Sequence, residues 1–226
     1  DTQEVWAMAY DTPVAGFCND TVNTLRLWSA KSSREFDLRV FNQGDYVSAV
    51  QNKTESENIS KVLYPPDNQH AGRELRLKQQ YFFVSATLQD VLRRFFKSGP
   101  RDFKDLPRKV AIQLNDTHPV LGIPELMRIL IDEHKLPWDE AWDLTQAVFG
   151  YTNHTVLPEA LERWNVDLFR RLLPRHFDIV EEIDRRFRAQ TSALGDADLT
   201  RRTAILDDTG HIRMANLAYV GSHAVN

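Results

Sequence analysis

Residues 110–119, VAIQLNDTHP, constrain the fold more than any other stretch of the chain. Val110, Ala111, Ile112 and Leu114 form a short apolar run behind the basic pair Arg108-Lys109. The character then flips to Asn115-Asp116-Thr117-His118. After Pro119 the residues Ile123, Met127, Leu130, Ile131 and His134 recur at helical spacing. This predicts a buried strand, a polar loop, and a helix with Pro124 in its first turn. In an open parallel sheet, ligands bind beyond the carboxyl ends of the strands. The loop 115–118 falls at such an end and carries an amide, a carboxylate, a hydroxyl and an imidazole.

The same plan recurs. Residues 147–151 read as a second strand, followed by Thr152-Asn153-His154-Thr155 and a helix from about Pro158 that carries Ala160, Leu161 and Trp164. Residues 212–221 read as a third strand, ahead of Ser222-His223. One loop histidine alone implies no chemistry. Three strands that each end in a polar cluster imply a shared site, with Asp116, His154 and His223 on one edge of a parallel sheet.

Elsewhere the pattern is more varied. Residues 4–10 and 21–29 read as strands, separated by a turn-rich loop at 11–16 that contains Pro13 and Gly16. Asp45 is a candidate N-cap for a helix over 45–58. Its second half is polar all round, so it is expected to make few contacts with its own core and to project or meet a partner. Residues 67–72 form a polar loop between Pro65-Pro66 and Gly72, an ordinary surface loop by composition. A long core-facing helix is expected over 75–96 and a short one over 137–146. The longest amphipathic helix is expected over 165–190, with His176 packed rather than ligating. Residues 191–200 read as a linker, and 207–210 as a hairpin-type turn. The domain reading is a β-rich segment at 1–109, which includes helix 45–58, loop 67–71 and helix 75–96. A β-α-β-α-β half of a doubly wound sheet follows at 110–226.

Composition removes several function classes. With 42% hydrophobic and 27% charged residues a sizeable core is affordable and disorder is not expected. A net charge of −4 gives no argument for nucleic acid, and acidic neighbours interrupt most of the arginine pairs. A single cysteine, Cys18, excludes an internal disulfide and fits a reducing compartment. No run is apolar and long enough for a membrane span, no signal peptide is visible, and no spacing suits zinc or a glycine-rich phosphate loop. The chain opens at Asp1 on an apolar segment and closes just after the third polar cluster, which reads as a fragment of a larger protein. Loops rich in Asn, Asp, Thr and His, with no nucleophile signature, suit a polyhydroxylated ligand. Two classes remain from the residues alone: a transferase that handles carbohydrate or nucleotide sugar, and a non-catalytic α/β binding domain.

Seven strings narrow this further: LRLWSA at 25–30, VLYP at 62–65, ELRLKQ at 74–79, AIQLNDTHP at 111–119, IPELMR at 123–128, YTNHTVLPEALERW at 151–164 and GSHAVN at 221–226. In this order they closely resemble the α-1,4-glucan phosphorylase family, which comprises the glycogen, starch and maltodextrin phosphorylases, and the match runs over 5–226. The resemblance implies the second half of an N-terminal catalytic domain, part of a Rossmann-like domain of the glycosyltransferase GT-B type. It implies phosphorolysis of terminal α-1,4-linked glucose by inorganic phosphate to give glucose 1-phosphate. The cofactor implied is pyridoxal phosphate, whose lysine belongs to a C-terminal domain outside this chain. By position, the His154 main-chain carbonyl approaches the reacting glucose where positive charge develops, and Asn68 holds a sugar hydroxyl. Asp67 sits on a gate loop, 67–71. Asp116, His118 and Thr155 line the glucan side, and no metal is implied.

The polar helix 45–58 resembles the tower helix that meets the second subunit of a homodimer. A cytoplasmic enzyme, with no membrane or nucleic-acid partner, is implied. Gln69 and His70 replace two aromatics of the regulated animal enzymes, which puts their inhibitor-stacking site in doubt. Arg93-Arg94 match arginines that bind a regulatory nucleotide phosphate, against a simpler reading as solvated helix residues. The chain alone is expected to have no phosphorylase activity and to bind no pyridoxal phosphate. The alternative to the whole reading is a non-catalytic carbohydrate-binding or interaction module from an inactive relative.

Overall fold

The structure, a computed structural model, describes residues 4–33, 41–66, 69–97, 99, 102–155, 157 and 161–226, with the side chains of 48, 49 and 52 excepted. Its contacts divide the chain into two units, Asp1–Ala86 and Thr87–Asn226.

The first unit is built on an antiparallel hairpin of β1 (Val5–Ala15) and β2 (Val22–Ser32), in register from Val5↔Ser32 to Ala15↔Val22. β1 therefore runs through Pro13, beyond the expected stop at residue 10. In a two-stranded ribbon each strand is an edge strand, where proline is tolerated. The turn is displaced to 16–21, closed by Gly16 N–H donating to the Thr21 carbonyl at 2.8 Å and by the Asn19 side chain accepting from Thr21 N–H at 2.9 Å.

Helix α1 (Ser48–Lys61) follows, with Val47 as its N-cap and no side-chain cap bond, so Asp45 is not the cap. Nor is this helix detached. Ser56 and Ile59 are buried, the Ser60 hydroxyl accepts from Ala30 N–H at 2.8 Å, and Lys31 pairs with Glu57 at 3.6 Å. Ala30 and Ile59 form a small core with Phe82, edged by Val5, Ala7, Trp28 and Phe83. Residues 51–58 read as polar all round because their one buried residue among those described is Ser56, which hydropathy does not flag.

Helix α2 (His70–Lys97) starts earlier than expected, so Gln69 precedes the helix and His70 opens it. Asp67 and Asn68 lie outside the described residues.

The second unit holds a parallel three-stranded sheet in the order β3 (Ile112–Asn115), β4 (Phe149–Thr152), β7 (Ala224–Val225), flanked by helices. The mixed α/β class is as read from the sequence. Leu114, Phe149 and Tyr151 are fully buried. β3, preceded by the short helix α3 (Leu106–Lys109), leads to helix α4 (Gly122–Arg128), with Pro124 in its first turn, and a π-helical turn at Ile129–Glu133. Helix α5 (Trp138–Val148) absorbs Ala147 and Val148. Its buried residues Ala141, Leu144, Thr145 and Val148 continue one helical stripe, and for that reason the strand begins at Phe149 rather than at 147.

Three further expectations are corrected. No helix includes Leu161 or Trp164; Pro158 and Ala160 lie outside the described residues. Arg163–Asn165 is a strand, β5, paired antiparallel with β6 (His211–Arg213), and Trp164 opposite Ile212 are both buried. Helix α6 (Val166–Leu172) starts one residue later, where the Asn165 side chain accepts from Leu168 N–H at 3.1 Å. The single helix over 165–190 is broken into α6 and α7 (Pro174–Ser192), because Pro174 cannot donate its backbone bond and Leu173 is pushed to φ −134°. The linker contains helix α8 (Ala197–Thr203), capped by Asp196, which accepts from Leu199 N–H at 2.8 Å.

The third strand is also reassigned. Met214–Val220 is a helix, α9, burying Met214, Ala215, Leu217 and Ala218. The strand that joins the sheet is β7, after His223 and not before it. His223 therefore lies at the amino end of β7, donating its N–H to the Phe149 carbonyl at 3.0 Å, with its ring Nδ1 3.2 Å from the Gln146 carbonyl. The shared edge keeps Asp116 and His154 and loses His223. Among the described residues no helix is long and apolar enough to cross a membrane, and no group of three or more metal-type side chains gathers.

Candidate functional site

The carboxyl ends of β3 and β4 lie side by side, with Asn115 opposite Thr152. Beyond them the chain turns sharply. Asp116 has φ +60°, a left-handed conformation that aspartate tolerates better than most residues, and its N–H donates to the Thr152 carbonyl at 2.9 Å. Thr117 is buried, and successive tight turns link Val120 N–H to the Thr117 carbonyl and Gly122 N–H to the Pro119 carbonyl. This chain reversal holds Asp116 and His118 at the strand end, ahead of α4.

His154 is exposed and yet tightly held. Its N–H donates to Asp116 Oδ1 at 3.0 Å, and its ring Nε2 bonds the Asn115 side-chain oxygen. The next N–H, that of Thr155, donates to Asn153 Oδ1 at 3.1 Å, and the Thr155 hydroxyl accepts from Leu157 N–H at 3.2 Å. Asp116, His154 and Thr155 are thus brought together. His118 Nδ1 stands 3.9 Å from Glu162, whose own carbonyl accepts from Met214 N–H.

The third strand contributes a residue that the sequence reading passed over. Asn226 accepts from the Thr152 hydroxyl through Oδ1 at 2.7 Å, accepts from Asn153 N–H through its carbonyl at 2.9 Å, and donates its N–H to the Tyr151 carbonyl at 3.0 Å. The Gln113 carboxamide reaches the same Thr152 hydroxyl from β3 at 2.9 Å. Gln113 lies across Gly150, where an added Cβ would come within 2.6 Å of its Oε1. A row of side chains therefore ties three strands together just beneath the loops. In the GSHAVN string the terminal asparagine, not the histidine, reaches the carboxyl edge of the sheet.

The electrostatics favour neutral tyrosine beneath a charged rim. Burial pushes the Tyr151 phenol up to about 12, helped by Tyr219 and by the Asp116 carboxylate. The rim offers a carboxylate, an imidazole, amides and main-chain groups, with no activated nucleophile among the described residues. Such a set can hold a polyol and stabilise charge, but it does not by itself break a bond. Arg93 and Arg94 lie on α2, where both engage Asp90, at 2.5 Å and 2.7 Å, with their side chains largely in solvent.

The sequence profile described as carbohydrate phosphorylase matches residues 1–226. The chain belongs to that family. It is 57% identical to the brain form of glycogen phosphorylase from Rattus norvegicus and from Homo sapiens, and 56% identical to the liver form from Homo sapiens. Each comparison covers 100% of this chain and 28% of the relative. The phosphorylase strand ends described above are thus those of a family member that spans under a third of its curated relatives' length.

Proposed function

We propose that this chain forms one wall of the active site of an α-1,4-glucan phosphorylase, in which inorganic phosphate cleaves a terminal glucose to give glucose 1-phosphate. The observation that carries the reading is the capture of both peptide groups flanking His154 by side-chain oxygens, in a chain whose relatives are glycogen phosphorylases. Under this reading the His154 carbonyl faces the positive charge that develops on the reacting glucose. That is the sign-reversed counterpart of an oxyanion hole. Asp116, His118 and Thr155 line the glucan side. Pyridoxal phosphate is held by a lysine elsewhere in the full-length protein and supplies acid/base chemistry through its phosphate. The domain reading is retained: 1–109 carries the helix, gate loop and long helix, and 110–226 carries the Rossmann-like half. α1 meets a second subunit of a homodimer through the exposed residues Val50, Gln51, Thr54 and Glu55. Arg93 and Arg94 are regulatory only if Asp90 releases them. The enzyme is cytoplasmic.

Asp67 and Asn68 belong to the gate loop in this proposal. An aspartate beside substrate phosphate is repelled by ~4 kcal/mol per unit-charge pair at ~4 Å and an effective dielectric of ~20. Asp67 therefore occupies the phosphate region only at rest, while Asn68 adds a hydrogen bond to a sugar hydroxyl without adding charge. The test is phosphorolysis by the full-length enzyme with glucan and phosphate. Asn68→Ala is expected to lower kcat, and Asp67→Asn to ease phosphate entry while sugar binding persists. Glucose 1-phosphate release by the 226-residue chain alone, or kinetics unchanged by both variants, would overturn the arrangement.

A further inference from the structure

The peptide unit that contains the His154 carbonyl is also the one that contains the Thr155 N–H. A trans peptide is planar, with its N–H and C=O pointing in opposite directions. Whatever holds the Thr155 N–H therefore sets where the His154 oxygen points. The holder is Asn153, through Oδ1 at 3.1 Å. Asn153 is itself fixed from behind, because its own N–H donates to the Asn226 carbonyl at 2.9 Å. Asn226 in turn is tied to Thr152 at 2.7 Å, and Thr152 to Gln113 at 2.9 Å. On the other side of His154, Asp116 holds the preceding peptide at 3.0 Å.

We infer that Asn153 is a positioning residue for the reaction: its side-chain oxygen, anchored through Asn226 on the neighbouring strand, aims the His154 carbonyl. The inference rests on the role proposed above for that carbonyl. A loop peptide in water can rotate about the flanking φ and ψ at little cost. An acceptor on one side and a strand anchor behind remove that freedom before substrate arrives. Preorganisation of this kind counts only in the transition state, where charge has developed, and so it acts on kcat more than on KM.

The experiment compares Asn153→Ala with Asn153→Asp in the full-length enzyme. Aspartate keeps an acceptor at the same reach; alanine has none. Asn153→Ala is expected to lose about tenfold to a hundredfold in kcat, with KM for glucan and for phosphate within about twofold, the pattern of a lost transition-state-only interaction. Asn153→Asp is expected to recover most of that loss. Thr152→Val, which removes the hydroxyl between Gln113 and Asn226, is expected to give a smaller loss of the same kind and covers the case in which Asn153→Ala does not fold. Equal kcat for wild type, Asn153→Ala and Thr152→Val would overturn the inference while the proposed function stands. An increase in KM without a fall in kcat would make Asn153 a uniform binding group and overturn it too. Wild-type enzyme with no phosphorolysis would remove the functional reading itself, and the inference with it.

Discussion

Replacing Glu125 with alanine is expected to destabilise the protein by about 3–5 kcal/mol, the cost of breaking a buried ion pair by removing one partner. Glu125 lies on α4 with its side chain fully buried. His176 Nε2, on α7, meets Glu125 Oε2 at 2.6 Å, and Arg128 donates to both carboxylate oxygens at 2.7 and 3.0 Å. Arg128 also reaches Glu133 at 2.9 Å, so the cluster joins α4, the π-helical turn and α7. Without the carboxylate, a guanidinium with only 20% of its side chain exposed loses its main partner, and a histidine at 5% loses its acceptor. Glu125→Gln keeps the shape and one acceptor and should lose less. Replacing Glu125, Arg128 and His176 together with apolar residues of similar volume should cost less than Glu125→Ala alone, because the partner then left over, Glu133, is half exposed and solvated. The measurement is the unfolding midpoint in denaturant. A shift equivalent to less than about 1 kcal/mol for Glu125→Ala would show that the cluster is not held as a pair.

Replacing Asp116 with alanine is expected to reduce kcat of the full-length enzyme by about a hundredfold, the scale at which small misplacements near a reacting centre are felt. Two effects combine. The His154 N–H loses its acceptor, and a non-glycine residue with no local hydrogen-bonding side chain must hold φ +60°. Asp116→Asn keeps tolerance for that conformation and keeps an acceptor oxygen. Its loss should be nearer tenfold, and the difference isolates the charge of the carboxylate from its geometry. Thermal unfolding of Asp116→Asn should stay close to wild type, whereas Asp116→Ala should lose about 1–2 kcal/mol of stability to the left-handed backbone. Activity of Asp116→Ala within twofold of wild type would remove Asp116 from the site.

Much of the second unit was legible because its signals were local. The flip from Ile112-Gln113-Leu114 to Asn115-Asp116 marks a strand end in any context, and the structure places it there. Pro124 in the first turn of α4 and His176 as a packed residue also follow from short-range patterns. The errors came where one residue type serves two periods. Ala147-Val148 looks like a strand and finishes a helical stripe. Trp164 looks like part of a helix face with Ala160 and Leu161 and pairs from a short strand with Ile212. Met214–Val220 is apolar enough for a buried strand, but its buried positions fall on one helical face. The third strand is two residues long, too short for any period to show. As for the loops, the polar clusters after β3 and β4 mark the edge on which Asp116 and His154 lie. The partners of each side chain depended on strand order, which no local pattern carries. That is why the sequence points to His223 and not to Asn226.

The parallel pairing also sets the order in which the protein can assemble. Gln113 and Thr152 are 39 residues apart, and Thr152 and Asn226 are 74 apart, so neither contact is reachable by local search. Doubling a loop adds only ~0.6 kcal/mol to its closure, so distance alone does not forbid the second pairing. It does delay it, because non-local contacts are rewarded only after the chain entropy has been spent. Helices α4 and α7 can form early, whereas the grip of Asn226 on residues 151–153 must come late. Pulse-labelled hydrogen exchange during refolding should find the Asn153 amide protected after the amides of α7. Protection of Asn153 in the earliest phase would contradict this order. On this ordering the loops after β3 and β4 stay loose until the most distant strand docks, so the edge proposed to meet sugar is the last part of the sheet to be completed.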